Sequence, residues 1–102
     1  MNQEIYLVGL NHKTAGVDIR ERFALTDCDP AATGLVSDAG SVSEAMILST
    51  CNRVEFLVVG SRQADMRAKI LRFWADHCGQ PVADLENHTY CHAGDEAVSH
   101  LF

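Results

Sequence analysis

The chain contains no long apolar run and few positive charges. No segment approaches the ~18 consecutive apolar residues that a membrane-spanning helix needs. The formal net charge is −6, from 8 Lys and Arg residues against 14 Asp and Glu residues. Nonspecific affinity for nucleic-acid phosphates comes mainly from basic side chains, so this balance argues against a generic DNA-binding protein. We therefore expect neither a membrane protein nor a DNA binder.

The sequence also lacks the cysteine pairs and the export signal that are typical of secreted domains. Its four cysteines, Cys28, Cys51, Cys78 and Cys91, lie far apart and form no Cys-x-x-Cys pair. The first four residues, Met-Asn-Gln-Glu, include none of the positive charges that open a signal peptide. Because cytoplasmic thiols are normally reduced, we expect a cytoplasmic protein with free cysteines.

The 102 residues, 47% of them hydrophobic, suffice for one modest core and predict a single domain. Hydrophobic periodicity and turn residues predict its secondary structure. The predicted elements are a strand at residues 4–10, helices at 17–24 and about 31–39, strands at 45–49 and 54–59, a helix at 64–78, a helical turn at 81–85, a strand at 88–92 and a helix from 94 onwards. This order predicts an α+β fold: a split βαβ (ferredoxin-like) sandwich with a largely antiparallel sheet, helices on one face and extra short helices.

The last predicted helix stops at Leu101 and Phe102 without a capping residue. Its first turn is acidic, as the helix dipole favours, so its start looks complete whereas its end does not. We therefore expect these residues to be a fragment of a longer protein.

Four of the eight basic residues fall within one stretch of eleven, residues 62–72. They are Arg62, Arg67, Lys69 and Arg72. Such a cluster has two interpretations, a local basic face that binds an acidic partner or an ordinary solvated helix surface, and the second is the commoner case.

Residues 49–53 read Ser-Thr-Cys-Asn-Arg and place Cys51 where an apolar, strand-like run gives way to a polar turn. A thiol at this point is held by the strand and is accessible to a substrate, and its polar neighbours can bind a polar ligand. Structural cysteines usually have apolar neighbours on both sides. The pattern indicates a nucleophile at the rim of the sheet, and the alternative is an inert, half-buried cysteine at a strand end.

Two further interpretations stay open from the residues alone. His88-x-x-Cys91-His92 and the distant His100 could form a metal-binding module, although adjacent residues of one strand point to opposite faces of the sheet. The same fold could also serve as a non-catalytic, amino-acid-binding regulatory domain, because fold alone does not determine function. Cys51 argues against the regulatory domain, since a sensor has no need of a reactive thiol.

Residues 9–15, 19–21, 48–55 and 96–102 resemble the N-terminal catalytic domain of glutamyl-tRNA reductase. The blocks read Gly-Leu-Asn-His-Lys-Thr-Ala, Ile-Arg-Glu, Leu-Ser-Thr-Cys-Asn-Arg-Val-Glu and Glu-Ala-Val-Ser-His-Leu-Phe. They occur in the order of this family and at about its spacing. The family's enzymes are several times longer, so the resemblance implies that residues 1–102 are one catalytic domain, without the NADPH-binding and dimerisation domains.

The resemblance implies the first step of tetrapyrrole synthesis by the five-carbon route. Glutamate esterified to tRNA(Glu) is reduced with NADPH to glutamate-1-semialdehyde, and a partner aminomutase converts this product to 5-aminolevulinate. NADPH binding and homodimer formation belong to the absent domains. The isolated fragment is therefore not expected to perform the reduction.

By the same resemblance, Cys51 is the nucleophile and His100 is a second catalytic residue. His100 would act either as a base toward the thiol or as a hydrogen-bond donor to the carbonyl oxygen. Thr50, Asn52 and Arg53 lie in the pocket for the glutamyl group. The planar guanidinium of Arg53 suits a carboxylate because it can donate two parallel hydrogen bonds. The resemblance places no cofactor-binding residue and no metal ligand in this chain.

Overall fold

The structure is a computed structural model that describes residues 3–38, 40–62 and 64–101. The strands are β1 (Gln3–Asn11), β2 (Val42–Ser49), β3 (Arg53–Ser61) and β4 (Tyr90–Ala93), and the helices are α1 (Val17–Arg22), α2 (Cys28–Asp38), α3 (Met66–Cys78), α4 (Val82–Glu86) and α5 (Asp95–Leu101). The strands form one sheet in the order β2-β3-β1-β4, and all its pairs are antiparallel. This topology confirms the predicted α+β class and the split βαβ arrangement. Among the described residues, no helix combines the length and the apolar character needed to cross a membrane.

Helices α2 and α3 pack on one face of the sheet and enclose the hydrophobic core. Trp74 of α3 is fully buried, and its ring centroid lies 4.8 Å from that of Phe56 on β3 and 6.2 Å from that of Phe23. The indole Nε1–H of Trp74 donates a hydrogen bond of 2.9 Å to the backbone carbonyl of Phe23. A buried indole N–H requires such a partner, so this bond ties the segment after α1 to the core.

The last helix, α5, departs from the expectation that the helices lie on one face. Residues directly opposite each other in antiparallel strands share a face of the sheet. Gly9 of β1 is opposite both Glu55 of β3 and Tyr90 of β4, so these three lie on the face away from Val8 and the core. Helix α5 contacts β4 and β1, and its His100 lies beside Glu55. The helix therefore covers part of this second face of the sheet.

Several element boundaries differ from the predicted ones for identifiable reasons. Helix α1 ends at Arg22 rather than at residue 24, because the backbone N–H of Leu25, which would donate to the Glu21 carbonyl in a longer helix, donates to the Ser49 hydroxyl instead. Strand β4 begins at residue 90 rather than 88, because the side chains of His88 and Thr89 bond to carbonyls of the last turn of α4 at 2.7 and 2.8 Å. Helix α2 begins three residues before the predicted start, and its predicted last residue, 39, lies outside the described residues.

Three of the four basic residues of the 62–72 stretch bond to the protein's own surface. Arg62 pairs with the Glu4 carboxylate at 3.1 Å. Arg67 donates to the Glu86 carbonyl and to the Thr89 hydroxyl, both at 3.2 Å, and Lys69 donates to a serine hydroxyl at 3.4 Å. These contacts favour the interpretation as an ordinary helix surface.

We predict that Trp74→Phe lowers the free energy of unfolding by about 2–4 kcal/mol, because it removes buried ring volume and leaves the Phe23 carbonyl without its indole donor. Urea unfolding followed by circular dichroism measures this change. Arg72→Ala, at an exposed position of the same helix, is the control and should shift the value by no more than about 0.5 kcal/mol. Equal effects of the two substitutions would contradict this account of the core.

Candidate active site

Cys51 lies in the turn that joins β2 to β3, and Thr50 builds this turn. The backbone N–H of Thr50 donates to the Arg53 carbonyl at 2.8 Å. The hydroxyl oxygen of Thr50 accepts hydrogen bonds from the backbone N–H groups of Asn52 at 3.3 Å and of Arg53 at 3.2 Å. Such local bonds from a threonine side chain define a tight turn. The free, exposed thiol of Cys51 is thus carried by a backbone of defined shape.

A groove of about 320 Å³ lies between this turn and helix α1. Its lining residues are Val17, Arg20, Glu21, Ala24, Thr50, Cys51 and Asn52. The backbone N–H of Leu25 donates to the Ser49 hydroxyl at 3.1 Å, which fastens the segment after α1 to the end of β2. The groove places the Cys51 thiol beside charged side chains of α1 and therefore suits a small polar substituent.

Arg53 and Glu55 alternate with the core residues of β3 and so lie on the second face of the sheet. The Glu55 side chain is 5% exposed, whereas that of Arg53 is 50% exposed. The Arg53 Nε lies 3.7 Å from Oε1 of Glu55. On the other oxygen, Oε2, the Tyr90 hydroxyl donates a hydrogen bond of 2.5 Å, and the His100 Nε2 lies at 3.4 Å. One buried carboxylate therefore joins groups from β3, β4 and α5.

The aromatic rings of this cluster pack against one another. The His100 ring stacks on that of His92, with centroids 4.5 Å apart and an interplanar angle of 29°, and lies 4.9 Å from the Tyr90 ring. Burial, followed by the hydrogen bond to Glu55, raises the pKa of the Tyr90 hydroxyl above its usual range. The hydroxyl therefore stays protonated and keeps its donor role. We call Arg53, Glu55, Tyr90, His92 and His100 the Glu55 cluster.

Gly9 provides the space that the Glu55 side chain occupies. A Cβ atom at position 9 would lie 2.6 Å from the Val54 carbonyl oxygen and 2.8 Å from Cγ of Glu55. Real Cβ atoms essentially never approach so closely, and one of these neighbours is rigid backbone. A glycine at this point of β1 is therefore required for the carboxylate to lie against the sheet.

The structure divides the five predicted site residues between two adjoining places. Thr50, Cys51 and Asn52 line the groove beside α1, whereas Arg53 and His100 belong to the Glu55 cluster. The two places meet at the peptide between residues 52 and 53. The contacts of His100 are with Glu55, Tyr90 and His92, and its proximity to the thiol stays a prediction.

The sequence alone indicated no role for Glu55 or Tyr90, and indicated His92 only as a candidate metal ligand. A signal for Glu55 was present, since it is a single acid within the otherwise apolar run at residues 54–59. Tyr90 and His92 are two residues apart on a strand and so share a face. Their convergence depends on the sheet order, which no local pattern reveals.

Of the four residues of the alternative metal-binding module, only His92 and His100 lie together. Cys91 packs against the core, and His92 lies on the second face with His100. His88 bonds to a carbonyl of α4. In the part of the chain that the structure describes, no group of three or more His, Cys, Asp or Glu residues is arranged to hold a metal ion.

The chain is similar to proteins of a known family. Residues 8–102 match the family model described as "Glutamyl-tRNAGlu reductase, N-terminal domain". The chain is 55% identical over its whole length to "Glutamyl-tRNA reductase" of Nitratidesulfovibrio vulgaris (strain DP4) and 53% identical to that of Solidesulfovibrio magneticus. It spans only 23% and 22% of these two relatives, that is, about a quarter of their length.

The chain is also similar to a solved structure. The chain superposes on "Glutamyl-tRNA Reductase from Methanopyrus kandleri" with a TM-score of 0.68 and 30% sequence identity, over 95% of this chain and 21% of that chain. The family model matches residues 8–102, from within β1 to the end of α5, and so covers both the turn that carries Cys51 and the Glu55 cluster. The chain therefore belongs to the family of glutamyl-tRNA reductase N-terminal domains.

Proposed function

We propose that residues 1–102 form the N-terminal catalytic domain of a glutamyl-tRNA reductase, in which Cys51 takes the glutamyl group from tRNA(Glu). The observation that carries this proposal is the exposed thiol on the turn built by Thr50, within the Ser-Thr-Cys-Asn-Arg run of a chain of this family. The complete protein then reduces the bound glutamyl group to glutamate-1-semialdehyde, in the first step of the five-carbon route to tetrapyrroles.

In the acyl transfer, the Cys51 sulfur attacks the ester carbonyl of glutamyl-tRNA. A carbon–sulfur bond forms, the carbon–oxygen bond to the tRNA ribose breaks, and the thiol proton ends on the released ribose hydroxyl. The product is a thioester, which accepts a hydride more readily than an oxygen ester because sulfur donates little electron density to the carbonyl. Covalent catalysis thus divides one difficult reduction into two easier steps. A serine in place of Cys51 would form another oxygen ester, so the reduction would become no easier.

The residues of this chain do not fit the NADPH that the reduction uses. Dinucleotide-binding folds hold the cofactor at the carboxyl ends of parallel strands, beside a glycine-rich turn. Between residues 3 and 101, apart from residues 39 and 63, which the structure does not describe, every strand pair is antiparallel. NADPH therefore belongs to a separate domain of the complete protein, and the acyl transfer is the step that we assign to these residues.

Arg53 is well placed to recognise the glutamyl group. In the tRNA ester only the side-chain carboxylate of the glutamate is free, and a guanidinium can hold it with two parallel hydrogen bonds. Glu55 contacts Arg53 through the Nε atom at 3.7 Å, and we propose that the two terminal nitrogens face the substrate. Half of the Arg53 side chain is exposed, which leaves room for this contact.

We also propose the partners and the cellular setting of the reaction. The substrate is glutamyl-tRNA(Glu), and a glutamate-1-semialdehyde aminomutase receives the reactive aldehyde. A separate domain of the complete protein forms a homodimer. The reaction takes place in the cytoplasm, where reduced thiols such as the four free cysteines of this chain are stable.

We predict that Cys51→Ser in the complete protein abolishes semialdehyde formation, by at least about 10³-fold, while glutamyl-tRNA binding is largely retained. Single-turnover kinetics measures the first quantity and filter binding the second. Cys78→Ser is the control, because Cys78 lines a different groove and should keep near-normal activity. Semialdehyde formation by Cys51→Ser at close to the normal rate would refute the covalent mechanism.

We predict that Arg53→Lys lowers kcat/KM by about 10- to 100-fold although the charge is kept, because lysine cannot donate two parallel hydrogen bonds to one carboxylate. Steady-state kinetics with glutamyl-tRNA tests this expectation. Arg72→Lys, on the exposed surface of α3, is the matched control and should leave kcat/KM unchanged. An unaltered kcat/KM for Arg53→Lys would remove Arg53 from the glutamyl pocket.

A further inference from the structure

The Glu55 cluster contains a carboxylate to which the acyl transfer assigns no direct role. Glu55 is 4% exposed. An apolar side chain at this position would cost less free energy, because a buried carboxylate loses its hydration. Gly9 is required to make room for it. A buried charge that also constrains a second position of the sheet indicates a functional group.

The two carboxylate oxygens of Glu55 face different partners. Oε1 faces the Arg53 guanidinium at 3.7 Å, whereas Oε2 accepts from the Tyr90 hydroxyl at 2.5 Å and faces the His100 Nε2 at 3.4 Å. A ring nitrogen that presented its lone pair to Oε2 would be repelled. The proton of a neutral His100 ring therefore lies on Nε2, and the lone pair lies on Nδ1.

Glu55 restrains the Nε2 edge of the His100 ring, and two aromatic rings restrain its plane. The His92 ring stacks on it at 4.5 Å, and the Tyr90 ring approaches it at 4.9 Å. The side chain is nevertheless 34% exposed, and it lines a surface groove of about 430 Å³ together with His92 and acidic residues of α5. One edge of the imidazole is thus fixed by the protein while a part of the ring stays accessible.

Building on the proposed function, and on the predicted proximity of His100 to the Cys51 thiol, we propose that Glu55 and Tyr90 are positioning residues for His100: the Tyr90 hydroxyl orients the Glu55 carboxylate, which holds the His100 Nε2–H and so makes Nδ1 the atom that accepts the thiol proton. This arrangement selects the base role for His100 over the role of hydrogen-bond donor. The proton leaves the Cys51 sulfur as the sulfur–carbon bond forms and passes from Nδ1 to the ribose oxygen as that oxygen departs, so no further reactant is needed. An orienting carboxylate behind a base histidine is an arrangement that unrelated enzymes share.

The first test measures kcat and KM of the complete protein with Glu55→Gln and Tyr90→Phe, alone and combined with His100→Asn. Glu55→Gln should lower kcat by about 100-fold and Tyr90→Phe by about 10-fold, each with KM within about twofold of the unmodified value. In the His100→Asn background, neither substitution should lower kcat further, because residues that act through one group are not additive. Glu96→Gln, which also lies on the His100 groove, is the matched control and should behave as the unmodified protein.

Additive losses, or an unchanged kcat for Tyr90→Phe, would overturn the positioning role. Tyr90→Phe keeps the ring that packs on His100 and removes only the hydroxyl, so it answers the question even if Glu55→Gln does not fold. A purely structural contribution to stability would lower the amount of active protein and would add to the effect of His100→Asn.

The second test does not depend on the reductase activity. In the complete protein labelled with ¹⁵N-histidine, the neutral His100 ring should show the Nε2–H tautomer alone by NMR, and Glu55→Gln should convert it to a mixture of tautomers. A dominant Nδ1–H tautomer, or a ring that does not respond to Glu55→Gln, would contradict the inference. If the complete protein forms no semialdehyde, the proposed function fails, and the NMR result still decides the arrangement of Glu55 and His100.

Discussion

The structure depends above all on the antiparallel pairing of β1 with β3, which runs in one unbroken register from Gln3 opposite Ser61 to Asn11 opposite Arg53. The register determines which face each side chain takes, because a shift of one residue would exchange the two faces completely. It places Val8 opposite Phe56 in the core and Gly9 opposite Glu55 on the second face. The same pairing therefore creates the hydrophobic core and the space for a buried carboxylate.

The pairing also explains how a small domain holds an exposed thiol in a defined position. Arg53 is paired with the last residue of β1 and Ser49 with Val54, so both strands are fixed up to the turn that carries Cys51. Thr50 then satisfies the backbone donors within the turn. Since the turn begins directly where the sheet ends, the thiol is exposed while the backbone that carries it keeps a defined conformation.

Much of the fold could be predicted from the sequence because its main elements carry strong local signals. The helix that contains Trp74 has apolar residues at intervals of three and four, and β1 and β3 are nearly continuous apolar runs. The end of α1 could not be predicted, because the Leu25 N–H that would continue the helix bonds to Ser49, 24 residues away in the chain. Tertiary contacts of this kind override local preference.

The candidate site was predictable only in part. The run of residues 49–53 identified the thiol and its turn, since strand and turn signals meet there. The Glu55 cluster assembles residues from β3, β4 and α5, and Glu55 and Tyr90 are 35 residues apart. Their contact follows from the order of strands in the sheet, which a single sequence does not determine. The position of α5 on the second face was missed for the same reason.

The central claim is that the Cys51 sulfur accepts the glutamyl group from its tRNA. The most direct measurement is peptide mass spectrometry of the complete protein after exposure to glutamyl-tRNA without NADPH, when the thioester cannot be reduced. We expect a glutamyl adduct on the peptide that contains Cys51. An unmodified Cys51, or an adduct confined to Cys28, Cys78 or Cys91, would contradict it.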